Sequence, residues 1–183
     1  MKITLKLIPT VFLAVLCFCS TSFATKINYI ATDLSDTTTG EDLWQYEYTV
    51  SDNTFNTNEG FTIWFDYNLY GDLETNPVAP NGDWDILTWN PNQSLNDDGA
   101  YDALAFNDVA TLSDSFTISF IWLGLGTPGS QQFEVYNNDP FGTIEIGTTA
   151  STVPEPGTII LFGLGILGIA GGNRMKQLAT DQE

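Results

Sequence analysis

Large apolar and aromatic residues recur at every second position in three separate runs of this 183-residue chain, and that period suits only one kind of backbone. Trp44, Tyr46, Tyr48 and Val50 alternate with Gln45, Glu47 and Thr49. Phe61, Ile63, Phe65 and Tyr67 repeat the pattern, and Phe116, Ile118, Phe120 and Trp122 form a third row. Successive side chains of a strand point to opposite faces, so each run reads as a strand with one face turned to a core. The third run also carries Ile121 and Leu123 on its other face, which predicts a central strand. The turn-rich SDNTFNTNEG at 51–60 predicts that the first two runs pair as a hairpin with a long loop.

Shorter strand candidates are 26–32, 85–89, 132–136 and 142–146, while 101–106 reads as either a strand or a short helical turn. Stretches rich in Asn, Asp, Gly and Pro at 76–82, 90–99 and 124–129 supply the turns between them. Seven or eight short strands without helical periodicity predict an all-β fold, an antiparallel β-sandwich.

Both ends of the chain break this pattern. Lys2 and Lys6 precede an apolar stretch at 7–18, and small residues follow at Ser22 and Ala24. This is the layout of a secretory signal peptide cleaved between Ala24 and Thr25, with the Sec machinery as the expected route. Cys17 and Cys19, the only cysteines, would leave with it. They follow Leu16 and Phe18 where a lipidated cysteine wants a small neighbour, so lipidation is not expected. The remaining chain then offers neither disulfides nor thiolate chemistry. At the other end, residues 158–170 carry no charge and are set off by Pro154 and Pro156. A helix over 157–172 would span about 24 Å, short of the ~30 Å hydrocarbon core. It crosses only with local thinning of the bilayer or help from its flanks, and Arg174 and Lys176 then mark its cytoplasmic side.

Val153-Pro154-Glu155-Pro156, the run FGLGILGIAGG and the two terminal cations together resemble the PEP-CTERM sorting signal of Gram-negative bacteria. The resemblance implies recognition by an exosortase, a membrane-embedded cysteine transpeptidase. It also implies a precursor held in the inner membrane, removal of the helix, and delivery to the cell surface or the extracellular space. The tail departs from the family's usual cluster of arginines, since Asp181 and Glu183 follow its two cations. The expected organisation is a signal peptide at 1–24, an acidic ectodomain at 25–150, and a sorting signal at 151–183. Within the last lie the motif at 153–156, a transmembrane helix at 157–172 and a short basic tail at 173–183. The ordered words YEYTV, GFTIWFDYNLYGDL, DWD, DDGAYDALA and FTISFIWLGLGTPGSQQFEV, spread over 43–135, further resemble a recurrent ectodomain of PEP-CTERM proteins that has no assigned activity.

Charge and composition narrow the chemistry. Residues 25–156 hold one of the five basic residues, Lys26, and 21 of the 23 acidic ones. Such a polyanion is repelled by nucleic acid, so no nucleic-acid partner is expected. The chain has no histidine, which removes the usual general base and imidazole metal ligands. Two Gly-x-Gly-x-x-Gly spacings, at Gly124, Gly126, Gly129 and at Gly163, Gly165, Gly168, read as a tight loop and a close-packed helix. Pro128 interrupts the first, and no strand precedes the second.

Carboxylates and aromatics remain. Asn96, Asp97, Asp98 and Asp102, followed by Asp83 and Asp85, are the candidate calcium ligands, because clustered oxygen donors suit that ion. They miss the EF-hand template, which would place a glutamate where Ala105 stands. Trp64, Trp84, Trp89 and Trp122 raise the prospect of sugar binding. Trp44 and Trp122 sit on apolar rows, so Trp84 and Trp89 in DWDILTWN are the candidate stacking residues. A glycosidase would need two carboxylates facing one sugar; Asp83 and Asp85, at spacing two, share a face if extended, but spacing alone does not set any pair ~5 to 9 Å apart across a cleft. The expected function is a non-enzymatic, structural or adhesive protein of the cell surface or biofilm matrix, without a cofactor and associated with exopolysaccharide. A carbohydrate- or calcium-binding module is the alternative, and a carboxylate-dependent hydrolase ranks last.

Overall fold

The computed structural model describes residues 24–152. The expected signal-peptide body, the motif at 153–156, the apolar run at 157–172 and the tail at 173–183 lie outside the described residues. The chain divides into two units between Ala150 and Ser151.

The described residues form ten strands. They are β1 (Lys26–Asp33), β2 (Leu43–Ser51), β3 (Glu59–Phe65), β4 (Tyr70–Gly71), β5 (Trp84–Trp89), β6 (Gly99–Ala105), β7 (Phe116–Trp122), β8 (Gln132–Asn138), β9 (Phe141–Thr148) and β10 (Ala150–Ser151). They make two five-stranded sheets, ordered β10-β1-β2-β7-β4 and β5-β6-β3-β8-β9. Among the described residues no helix is long and apolar enough to cross a membrane. β1, β2, β7 and β4 pair antiparallel in the first sheet and all five strands do so in the second, and the sheets face each other across one aromatic core, as the alternating rows require.

Each row buries its large residues. Tyr46, Tyr48, Phe61, Ile63, Phe65, Phe116, Ile118 and Phe120 are fully buried. Rings from the two sheets meet edge to face: Phe61 lies 5.1 Å from Phe116 and Phe65 lies 5.0 Å from Tyr70, centroid to centroid. These separations are in the favoured range for aromatic pairs, so the contact that joins the sheets is directional as well as apolar.

The expected hairpin of the first two runs does not form. β2 pairs with β1 and β7, whereas β3 pairs with β6 and β8 in the opposite sheet. The intervening loop carries Phe55, which is fully buried against Phe61 and Trp84 and whose carbonyl accepts from the Ala110 amide at 2.9 Å. That anchor takes the chain across the core instead of back along the same sheet. β7 lies inside its sheet, between β2 and β4, and residues 101–105 are strand rather than helical turn. Tyr67 falls beyond the end of β3.

The loop with the first glycine spacing is pinned by a directed chain of hydrogen bonds. Gln131 Nε2 donates to the Tyr70 hydroxyl (3.0 Å), Tyr70 and Tyr46 share a bond of 3.0 Å, and Tyr46 donates to the Gly129 carbonyl (2.7 Å). The Thr149 hydroxyl completes the chain at Gln131 Oε1 (3.0 Å). Buried polar groups satisfied in this way fix a loop that carries no strand of its own.

The expected cleavage position sits beside β1. Ala24 is exposed, but Thr25 is buried, and both its N–H and its hydroxyl donate to Glu145 Oε2 on β9, at 3.1 and 2.7 Å. A chain beginning at Thr25 would turn an ammonium toward that same oxygen.

Candidate functional site

Alternation that sends one face of a strand to the core sends the other outward, and in β5, β6, β3 and β8 the outward residues are unusual for a solvated surface. Register builds them into rows. Trp89 pairs with Ala100, and Ala100 pairs with Trp64, so two tryptophans flank a methyl group. In the next row Leu87, Asp102, Thr62 and Glu134 stand side by side on four adjacent strands. In the third row Asp85 and Leu104 lie on β5 and β6, and Gly60 pairs with Tyr136. A groove of about 460 Å³ takes in the first row, Asp102, Thr62 and Glu134 of the second and Tyr136 of the third, and Asn90, Asp97, Asp98, Asn138 and Phe141 also line it. Trp64 is 38% exposed and Trp89 52% exposed, so each offers part of its ring to solvent.

Asp102 forms the polar floor of the groove. Its Oδ1 accepts from the Thr62 hydroxyl at 2.7 Å, and its Oδ2 accepts from the Tyr136 hydroxyl at 3.0 Å. Tyr136 reaches it by lying over Gly60, where a side chain would collide. Burial pushes the Asp102 carboxyl above the ordinary carboxylate range. The two hydroxyl donors pull it back, and the charges of Asp85 and Glu134 raise it again. Burial likewise pushes the Tyr136 phenol up, reinforced by Asp102.

This arrangement has a testable sign. A carboxyl whose pKa is raised by folding stabilises the native state most when protonated, below about pH 3.9. That contribution is lost as pH rises through the higher native value. Asp102→Asn keeps the shape and one acceptor but removes the buried charge. The variant should therefore melt above the wild type near pH 7, with the gap narrowing toward about pH 3 in a thermal-denaturation series. A lower melting temperature at neutral pH would contradict this account. A charge held against stability is a feature expected of a site kept for function.

The sequence-predicted residues separate. Trp84 is a correction: it is 3% exposed, and its ring packs 5.1 Å from Phe116 and 5.4 Å from Phe55. Its Nε1 donates to the Thr111 carbonyl at 2.9 Å. A residue so enclosed presents no face to a sugar. Trp89 does, and its partner across the groove is Trp64.

Asp83 faces another loop. Its Oδ1 accepts from Asn107 Nδ2 at 2.8 Å, and its Oδ2 accepts from the Thr111 amide at 3.0 Å. The Thr111 and Asn107 donors hold its carboxyl below the usual range. Asp85 instead lies on the outer face of β5. Asn96 occupies a left-handed position, φ 51°, in the turn closed by the Asn92–Asp97 bridge. Asp98 Oδ1 accepts from the Tyr67 amide at 3.1 Å. Among the described residues no three carboxylates are grouped to hold a metal ion, so the proposed calcium ligands do not converge as one acidic cluster. Asp97, Asp98 and Asp102 share the groove instead.

Thr62, Glu134 and Tyr136 escaped sequence reasoning, since only strand register brings them to Asp102. Trp64 carried a usable signal, because it falls out of phase with Phe61, Ile63 and Phe65.

The described residues thus define an all-β sandwich with an aromatic, acidic groove on one outer face. Residues 152–174 carry the PEP-CTERM protein-sorting motif. The chain is accordingly an exosortase-targeted exported protein, made as a membrane-anchored precursor. Comparison with curated proteins gives no match.

Proposed function

We propose that this exported protein is a non-enzymatic adhesive component of the extracellular matrix, which holds exopolysaccharide in the groove on the outer face of the second sheet. The observation that carries the reading is the row Trp89–Ala100–Trp64. Two partly exposed indoles separated by the width of two strand spacings, about 10 Å, make a platform for sugar rings on either side of a small residue. Carboxylates beside them accept hydrogen bonds from sugar hydroxyls. A binding role fits Asp102 better than hydrolysis, because both its oxygens already accept from Thr62 and Tyr136.

Affinity electrophoresis of the ectodomain through gels containing the host's own exopolysaccharide tests this. Trp64→Ala and Trp89→Ala should each weaken binding by about tenfold, the scale of one aromatic contact, without lowering the melting temperature appreciably. Retardation unchanged in the double variant would overturn the reading, and turnover of the polysaccharide would overturn its non-enzymatic part.

A further inference from the structure

Resting on the sugar-binding reading, we propose that the groove selects a cationic glycan, an amino-sugar polymer with free ammonium groups, over neutral or uronate-bearing chains. The aromatic row supplies stacking surface but no selectivity, because pyranose rings of many kinds present apolar faces. Selectivity must come from the polar groups, and every charged one among them is an anion. Asp102 and Glu134 stand on either side of Thr62 in the row next to the tryptophans, and Asp97 and Asp98 line the same groove.

Among the described residues no basic side chain lines the groove. Lys26 is the only basic side chain between Thr25 and Pro156, and its Nζ lies 2.6 Å from Asp52, outside the groove. The hydroxyls of Thr62 and Tyr136 are already donated to Asp102, so the side-chain donors left for a carboxylate-bearing sugar are uncharged, such as the amides of Asn90 and Asn138. A ring stacked at the Trp89–Ala100–Trp64 row lies about 7 Å along the strand from Asp102, two residues away, so an amino substituent projecting along β6 approaches that carboxylate. An ammonium there would pair with the half-buried charge, whereas a uronate would meet like charge.

The test uses the ectodomain with fully deacetylated glucosamine oligomers, their fully N-acetylated counterparts and a uronate oligomer, by calorimetry near pH 6 at low salt. The glucosamine oligomer should bind at least tenfold more tightly than the acetylated one, and the uronate should not bind. Asp102→Asn and Glu134→Gln should each erase most of that preference, and Trp89→Ala should weaken both ligands that bind. Two carboxylate variants are used so that one misfolded protein does not decide the result. Equal affinity for the acetylated and deacetylated oligomers, with Trp89→Ala still weakening both, overturns the cationic preference and leaves the sugar-binding reading standing. Absence of any binding that depends on Trp64 or Trp89 overturns both. Glucosamine binding that is indifferent to Trp89→Ala and Asp102→Asn is general attraction of a polycation to a polyanion, and it overturns the proposal.

Discussion

Phe61→Ala should destabilise the ectodomain by about 3 to 5 kcal/mol, enough to consume much of the stability of an ordinary domain. Phe61 is fully buried and joins three parts of the chain at once. Its ring lies 5.1 Å from Phe116 in the opposite sheet, 5.9 Å from Phe55 in the crossing loop and 5.9 Å from Trp84 at the start of β5. Truncation leaves a cavity bounded by rigid rings from both sheets, which have few ways to close over it. Urea denaturation followed by tryptophan fluorescence measures the effect. A loss under about 1 kcal/mol would show that the two sheets do not depend on this contact.

The same residue shows what the sequence made legible. Its alternation with Ile63 and Phe65 announced a strand and the face that would be buried, as did the rows in β2 and β7. Partnership was not legible. A strand with one apolar face satisfies it equally well beside a neighbour in the same sheet or opposite one across the core. The choice fell to Phe55, a single apolar residue in an otherwise polar loop. β4 escaped notice because two residues, Tyr70 and Gly71, are too few to show a period.

Legibility at the groove divides in the same way. Trp84 looked accessible between two aspartates, yet Asp83 turns to the 107–111 loop and Asp85 to the outer face, and the indole between them points inward. Trp64 is among the four tryptophans that raise sugar binding, and its phase against Phe61, Ile63 and Phe65 sends it outward. Strand phase therefore carried more information than local polarity. The floor of the groove was beyond either signal. Thr62 and Asp102 are 40 positions apart, and Tyr136 and Asp102 are 34 apart. Their meeting is decided when β3 inserts between β6 and β8, a pairing that no short stretch of sequence encodes.

Gly60 is where that pairing is most exposed to test. A Cβ there would collide with the Ala103 carbonyl oxygen of the neighbouring strand and would stand 2.7 Å from the Tyr136 hydroxyl oxygen. The tyrosine can tilt, but the carbonyl belongs to the ladder and cannot rotate away. Strand propensity by itself favours valine over glycine, so it predicts a gain in stability. Steric exclusion predicts the reverse: Gly60→Val should cost about 1 to 3 kcal/mol as β3 shifts from β6 or the Tyr136 ring is driven off. Either movement breaks the 3.0 Å bond to Asp102, so glycan binding should weaken even though residue 60 presents no group to the ligand. Adding Tyr136→Ala should recover only part of the lost stability, because the carbonyl contact persists, and it should not restore binding. A Gly60→Val protein that is more stable than the wild type and retains full binding would mean that Tyr136 does not position the carboxylate.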